Sequence, residues 1–300
     1  MKIVNIGGGL GNQMFKYAFA LVLKKTYPNE SVFIDSRLCR YMGTHNGYEL
    51  NRLFDLKIRE SSFGNVFRLS KRASCSLFYK MSRNIYIRCL SFFYDHPESS
   101  YIEDYQSLGQ YNPSYLNDSR SLYYDVSVQA WQYYKSNEQF IRNSFRFKVS
   151  LNDSDKIILK QITDSVSVGI HFRGGDYLMS ENSSYNVCSV EYYKRAIDLV
   201  KKKYQKRRFF VFTNDIDYYN SVKDFLFRDE NVVLVRNQGK DSFKDMIFMS
   251  KCQCQIIANS SFSWWGAWLN ERKDRVIIAP SRWHLMFECK DVCPLDWIRV

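Results

Sequence analysis

Hydrophobic positions along the chain come in short blocks whose period alternates between that of strands and that of helices. Lys2 to Ile6, KIVNI, is a brief apolar run that reads as a buried strand. Glycines follow at Gly7, Gly8, Gly9 and Gly11, and a helical pattern runs from about Asn12 to Lys25. Ser31 to Asp35, SVFID, reads as the next strand, so the chain opens with a βαβ unit. From Arg37 to Tyr111 the pattern is irregular, with helices expected but not bounded. Tyr123 to Gln132 is expected to hold another strand, and Glu138 to Arg142 a short helix.

The second half repeats more cleanly. Strands are predicted at 166–172, 209–213, 232–235, 255–258 and 276–279, and helices between them at 190–203, 216–227, 242–252 and 262–269. Alternation at this spacing predicts an α/β chain with a parallel sheet covered on both faces. The polar stretch SLNDSDK, within residues 147–160, reads as a linker and divides the chain into domains 1–150 and 151–300.

Composition narrows the class. At 45% hydrophobic residues over 300 positions, the chain has enough apolar surface for a sizeable core, which excludes wholesale disorder. No apolar run reaches the length of a transmembrane helix. The first residues lack the pattern of a signal peptide, so a cytoplasmic start is expected. The eight cysteines are then expected to be reduced and packed. Cys252 and Cys254, with Cys289, Cys293 and His284, do not have common zinc spacings. The net charge of +12 favours anionic partners. Residues 57–94 carry eight basic residues against the single acid Glu60, which reads as a surface facing a membrane, an acceptor or solvent.

Three motifs lie at predicted strand ends, where open α/β sheets bind ligands. In Gly7–Gln13, glycines let backbone N–H groups approach a ligand, and a helix start favours anions. Asn12 and Gln13 read as exposed amides that either bind a ligand or cap the helix. In His171–Tyr177, Arg173 can hold a diphosphate through its planar fork and Asp176 can take a hydroxyl proton. The alternative there is an Arg173–Asp176 brace with His171 as a core histidine. In Asn259–Trp268, small polar side chains either bind phosphate or ribose oxygens or cap a core helix packed by Trp264, Trp265 and Trp268. Asp215 and Asp217 spell a DxD pair, which could hold a divalent cation, while Asp215 also suits a helix cap.

Taken in order, these motifs resemble those of bacterial α-1,2-fucosyltransferases of glycosyltransferase family 11. The resemblance rests on GGLGNQMF at Gly8–Phe15, HNGYEL at His45–Leu50, HFRGGDY at His171–Tyr177 and the long run Lys244–Asn270, and covers the chain nearly end to end. It implies a GT-B-like fold, with two Rossmann-like domains facing across a cleft. The carboxyl-terminal half would hold GDP-fucose and the other half the acceptor. It further implies metal-independent, inverting transfer of L-fucose to the 2-hydroxyl of a terminal galactoside. The acceptor would be a galactoside or a lipid-linked oligosaccharide, in O-antigen or capsule synthesis, with peripheral contact at the inner membrane.

By position, Arg173 would grip the β-phosphate and His171 would shape its loop. Gly9, Gly11 and Asn12 would lie near the donor phosphates or the reacting hydroxyl. Ser260, Ser261 and Ser263 would sit at the nucleotide, with Asn259 ordering their turn. Asp176 is the candidate base, with Glu49 behind it; a dissociative reaction would need neither. Gly174 stands where the family pattern has a second Arg, which removes one cation. Cys254 stands where a His is common, and Thr213–Asp215 reads TND for SDD. The competing classes are a metal-dependent transferase using Asp215 and Asp217, an inactive sugar-binding relative, and a basic nucleic-acid-binding protein. No nucleic acid is expected, because a nucleic-acid binder has no need of converging strand-end motifs.

Overall fold

The computed structural model describes residues 1–42, 45–69, 100–173 and 188–300. Asp176, Gly174, Cys75, Cys89 and most of the basic stretch 57–94 lie outside the described residues. The chain divides into two compact units, Met1–Lys148 and Val149–Val300.

The first unit is built on a four-stranded parallel sheet ordered β2-β1-β4-β3. Its strands are β1 (Lys2–Asn5), β2 (Val32–Asp35), β3 (Tyr101–Asp104) and β4 (Leu122–Val126). The helix Leu10–Thr26 follows β1 and has twelve buried residues among its seventeen, so it is enclosed rather than amphipathic. Aromatic edges pack its underside: Phe19 meets Tyr124 and Tyr133 with ring centroids 5.4 Å from each. β3 lies within the stretch expected to be irregular, where short helices also form at Arg37–Met42, Leu50–Leu53 and Phe63–Leu69.

The second unit has six parallel strands: β5 (Ser167–Phe172), β6 (Arg208–Thr213), β7 (Val232–Val235), β8 (Cys254–Ile256), β9 (Val276–Ala279) and β10 (Ile298–Arg299). Their order is β10-β9-β8-β5-β6-β7. Counted from β5, this is the 3-2-1-4-5-6 order of doubly wound nucleotide-binding sheets, with the break between β5 and β8. Val168, Ile170 and Phe172 pack on one face with the helices Val190–Lys203 and Ile216–Leu226. Gly169 and His171 therefore face the other side, where the helices Phe243–Met249 and Ser261–Trp268 pack. Gly266 brings those two helices together: a Cβ there would stand 2.9 Å from Met249 Cε and 3.0 Å from its Cβ. Trp264, Trp265 and Trp268 are buried and pack against one another, at about 2–3 kcal/mol of apolar burial apiece.

The linker reading of SLNDSDK is corrected. Asp153–Thr163 is a helix opened by a capping box, in which Asn152 accepts from the Asp155 N–H and Asp155 accepts from the Asn152 N–H. The polar residues expected to be solvated chain are the helix's start signal.

Candidate functional site

At the break in the second sheet, the ends of β5 and β8 bring two of the three motifs together. His171, on β5, is 5% exposed, and its ring centroid lies 6.0 Å from that of Phe262. Its backbone carbonyl accepts from the Tyr193 hydroxyl at 3.0 Å. Burial, with the charge of Arg173 beside it, lowers the His171 pKa to about 3. The ring is therefore neutral, and its Nδ1 is buried without a partner among the described residues. It can give or take one hydrogen bond with a ligand but supplies no charge. The charge at this strand end comes from Arg173, the next residue but one.

Across the break, Asn259 is buried with both ends of its carboxamide engaged. Its Nδ2 donates to the Trp283 carbonyl at 3.0 Å, and its Oδ1 accepts from the Cys188 thiol at 3.4 Å. These bonds tie the end of β8 to the segments around Trp283 and Cys188. Ser260 is the N-cap of the following helix, and Ser261 is its first residue and partly exposed. Ser263 does not fit the role expected of it. It is fully buried, and its hydroxyl donates to the Ala258 and Ser260 carbonyls at 3.2 and 3.3 Å, so it braces the turn from inside.

Asp245 was not singled out from the sequence. It sits in the first turn of Phe243–Met249, on the sheet face that His171 faces. Burial raises its pKa to about 7, against the lowering effect of Asn237, whose Nδ2 donates to Oδ1 at 2.7 Å. The signal available was an acid in the first turn after a strand, a pattern that most helices share.

Asp215 caps Ile216–Leu226 by accepting from the Tyr218 N–H at 2.9 Å, and Asp217 is exposed in the first turn. The cap is the reading that the hydrogen bond supports. The six cysteines among the described residues are buried thiols. Burial pushes Cys254 and Cys293 up to about 12 and Cys289 to about 11. His284 Nδ1 accepts from the Met286 N–H.

In the first unit, Gly9 is the N-cap of the helix after β1 and has no side chain with which to cap. Gly8 sits at φ +78°, where a Cβ would stand 2.8 Å from Asn12 Nδ2. Asn12 Oδ1 accepts from Gln129 Nε2 at 3.0 Å. Gln13 is corrected from an exposed amide to a fully buried one. Its Nε2 donates to the Gly8 and Gly47 carbonyls, each at 2.8 Å, and its Oε1 accepts from the Glu49 N–H at 3.0 Å. The glycine loop is thereby tied to the segment His45–Leu50. Glu49 is buried beside Arg52 at 3.0 Å; burial raises its pKa, and Arg52 and Asn46 offset part of that.

The model of glycosyl transferase family 11 matches residues 80–300. An α-1,2-colitosyltransferase of Escherichia coli is 30% identical over 99% of this chain and 98% of its own. The chain belongs to glycosyltransferase family 11. A second E. coli relative, the O-antigen biosynthesis glycosyltransferase WbnK, is 27% identical over 93% of each chain. Among solved structures, NodZ α-1,6-fucosyltransferase soaked with GDP-fucose aligns over 89% of this chain and 91% of its own, with a TM-score of 0.50 and 17% identity. At that identity the likeness concerns the fold, and the fold is the two-unit, GT-B-like α/β class expected. As a family 11 member, the chain is a glycosyltransferase.

Proposed function

We propose that this glycosyltransferase moves L-fucose from GDP-fucose to the 2-hydroxyl of a terminal galactoside, with inversion and without a metal ion. The observation that carries the reading is the meeting of His171–Arg173 with Asn259–Ser261 at the strand-order break of a doubly wound sheet in a family 11 chain. Arg173 meets the diphosphate and takes up negative charge as GDP leaves. His171, held neutral, gives one hydrogen bond to the nucleotide. Ser260 and Ser261 meet it from the start of their helix, while Ser263 and Asn259 keep that turn in shape. The acceptor oxygen attacks the anomeric carbon from the face opposite the diphosphate. The C1–O bond breaks, its electron pair passes to the β-phosphate oxygen, and the hydroxyl proton goes to a base. Asp176 is the first candidate for that base and Glu49 the second. Gly9, Gly11 and Asn12, at the start of an uncapped helix, are the part of the first unit suited to phosphate or the reacting hydroxyl.

The names of the two E. coli relatives support α-1,2 linkage and O-antigen synthesis. A lipid-linked acceptor would bring the enzyme to the cytoplasmic face of the inner membrane; none of the helices among the described residues is long and apolar enough to cross it. One observation favours a second donor. The relative at 30% identity is a colitosyltransferase, and colitose is L-fucose lacking its 3-hydroxyl.

The test is GDP release from GDP-fucose and, separately, from GDP-colitose, with lactose as acceptor, with and without EDTA. Lactose-dependent release from GDP-fucose that ignores EDTA is expected. Faster release from GDP-colitose would replace the donor, and loss with EDTA restored by manganese would favour the Asp215–Asp217 reading. GDP binding without turnover on any galactoside would favour an inactive relative. Salt-sensitive retention on DNA without GDP binding would favour a nucleic-acid binder. Arg173→Ala should cut turnover roughly a hundredfold or more with the fold intact.

A further inference from the structure

The strand order of the first unit also breaks once, between β1 and β4. At the carboxyl ends of those two strands stands a polar cluster that no step above uses. Asp125 Oδ1 accepts from Asn5 Nδ2 at 2.7 Å and from the Tyr105 hydroxyl at 2.5 Å. Lys16 Nζ lies 3.5 Å from the same oxygen and 5.9 Å from the Tyr105 ring centroid. Oδ2 receives one long bond among the described residues, 3.4 Å from the Tyr101 hydroxyl. The Asp125 and Lys16 side chains are only 14% and 12% exposed, yet Tyr105 is 50% exposed. A nearly buried ion pair therefore fixes one oxygen and one edge of an aromatic ring, and leaves the second oxygen under-used and the ring partly open.

We propose that this cluster is the subsite for the acceptor sugar, an uncharged pyranoside, with Asp125 and Tyr105 as its specificity-determining residues. The inference rests on the transfer reading above. Asp125 Oδ2 accepts from a sugar hydroxyl, and the open part of the Tyr105 ring covers the sugar's C–H face. Lys16 neutralises Asp125 and holds it in place. The carboxylate disfavours phosphate here, while the glycine loop, two residues beyond Asn5, favours anions. One sheet edge thus separates a polyol-binding end from an anion-binding end.

The test uses the full chain, with GDP affinity, GDP release without acceptor, and saturation transfer to lactose and a set of methyl glycosides. Tyr105→Ala, at a half-exposed position, should keep GDP affinity and acceptor-independent release. It should raise the acceptor KM about tenfold or more and abolish saturation transfer to the sugar. Asp125→Asn should do the same and change the ranking among glycosides. Should Asp125→Asn fail to fold, Tyr105→Ala decides. An unchanged acceptor KM in folded Tyr105→Ala, or an equal loss of GDP affinity, would overturn the subsite. Wild-type protein that binds GDP but shows neither saturation transfer nor release with any glycoside would overturn the transfer reading instead.

Discussion

The Gln13 carboxamide spends its hydrogen-bonding capacity on Gly8, Gly47 and Glu49, and none of it reaches solvent. Gln13→Ala would leave two carbonyls and an N–H without their partner. It should cost about 2–4 kcal/mol in denaturant unfolding, with little of that recovered by Gln13→Glu. Its role was not legible, because the residues that bury it stand 34 and 36 positions away. Asp245 was missed for a related reason: nothing local distinguishes an acid that a helix start exposes from one that packing buries. Its pH signature follows from its raised pKa. The fold favours the protonated carboxyl, so the contribution is complete below the carboxyl's ordinary value of 3.8 and is lost as pH rises through about 7. Asp245→Asn should therefore gain thermal stability relative to wild type as pH rises from 4 to 8, by melting temperature measured across that range. An advantage constant with pH would refute the shift. His171 works the other way, its neutral form contributing fully above 6.5 and losing ground as pH falls towards about 3. His171 and Arg173 stood out in the sequence because they mark the end of an apolar strand, His171 within β5 and Arg173 just beyond it.

At the scale of elements, period and length sufficed where a segment is apolar throughout or strongly two-faced. The helix Val190–Lys203 and the strands Val232–Val235 and Val276–Ala279 fall where the pattern puts them. Errors gather where tertiary pairing decides. β10 is two residues long and exists because it pairs with β9. β3 carries YIED, a half-polar edge strand that alternation does not single out. The helix Asp153–Thr163 was hidden behind its own cap, whose Asp155 stands where Glu or Gln is the stronger signal. Asn152→Ala should destabilise the protein by about 1 kcal/mol, measured as a lower denaturant midpoint at unchanged slope. A loss near zero would mean that the box contributes nothing beyond what water supplies.

At the scale of the molecule, alternation predicts parallel sheets but not the order of their strands. That order depends on which side each crossover takes, a choice made by packing of whole helices. Yet the order decides where a ligand can sit, since each unit has one break and the motif residues stand at its rim. The family was legible because four motifs stand in one chain in the family's order. The contact at Gly266 has a mechanical meaning at this scale. Gly266 has no side chain, so Met249 of one helix packs directly on the backbone of the other, and the contact leaves no room for a single added methyl. Any side chain added at Gly266 would push against Met249, and with it the helix whose start carries Ser260 and Ser261.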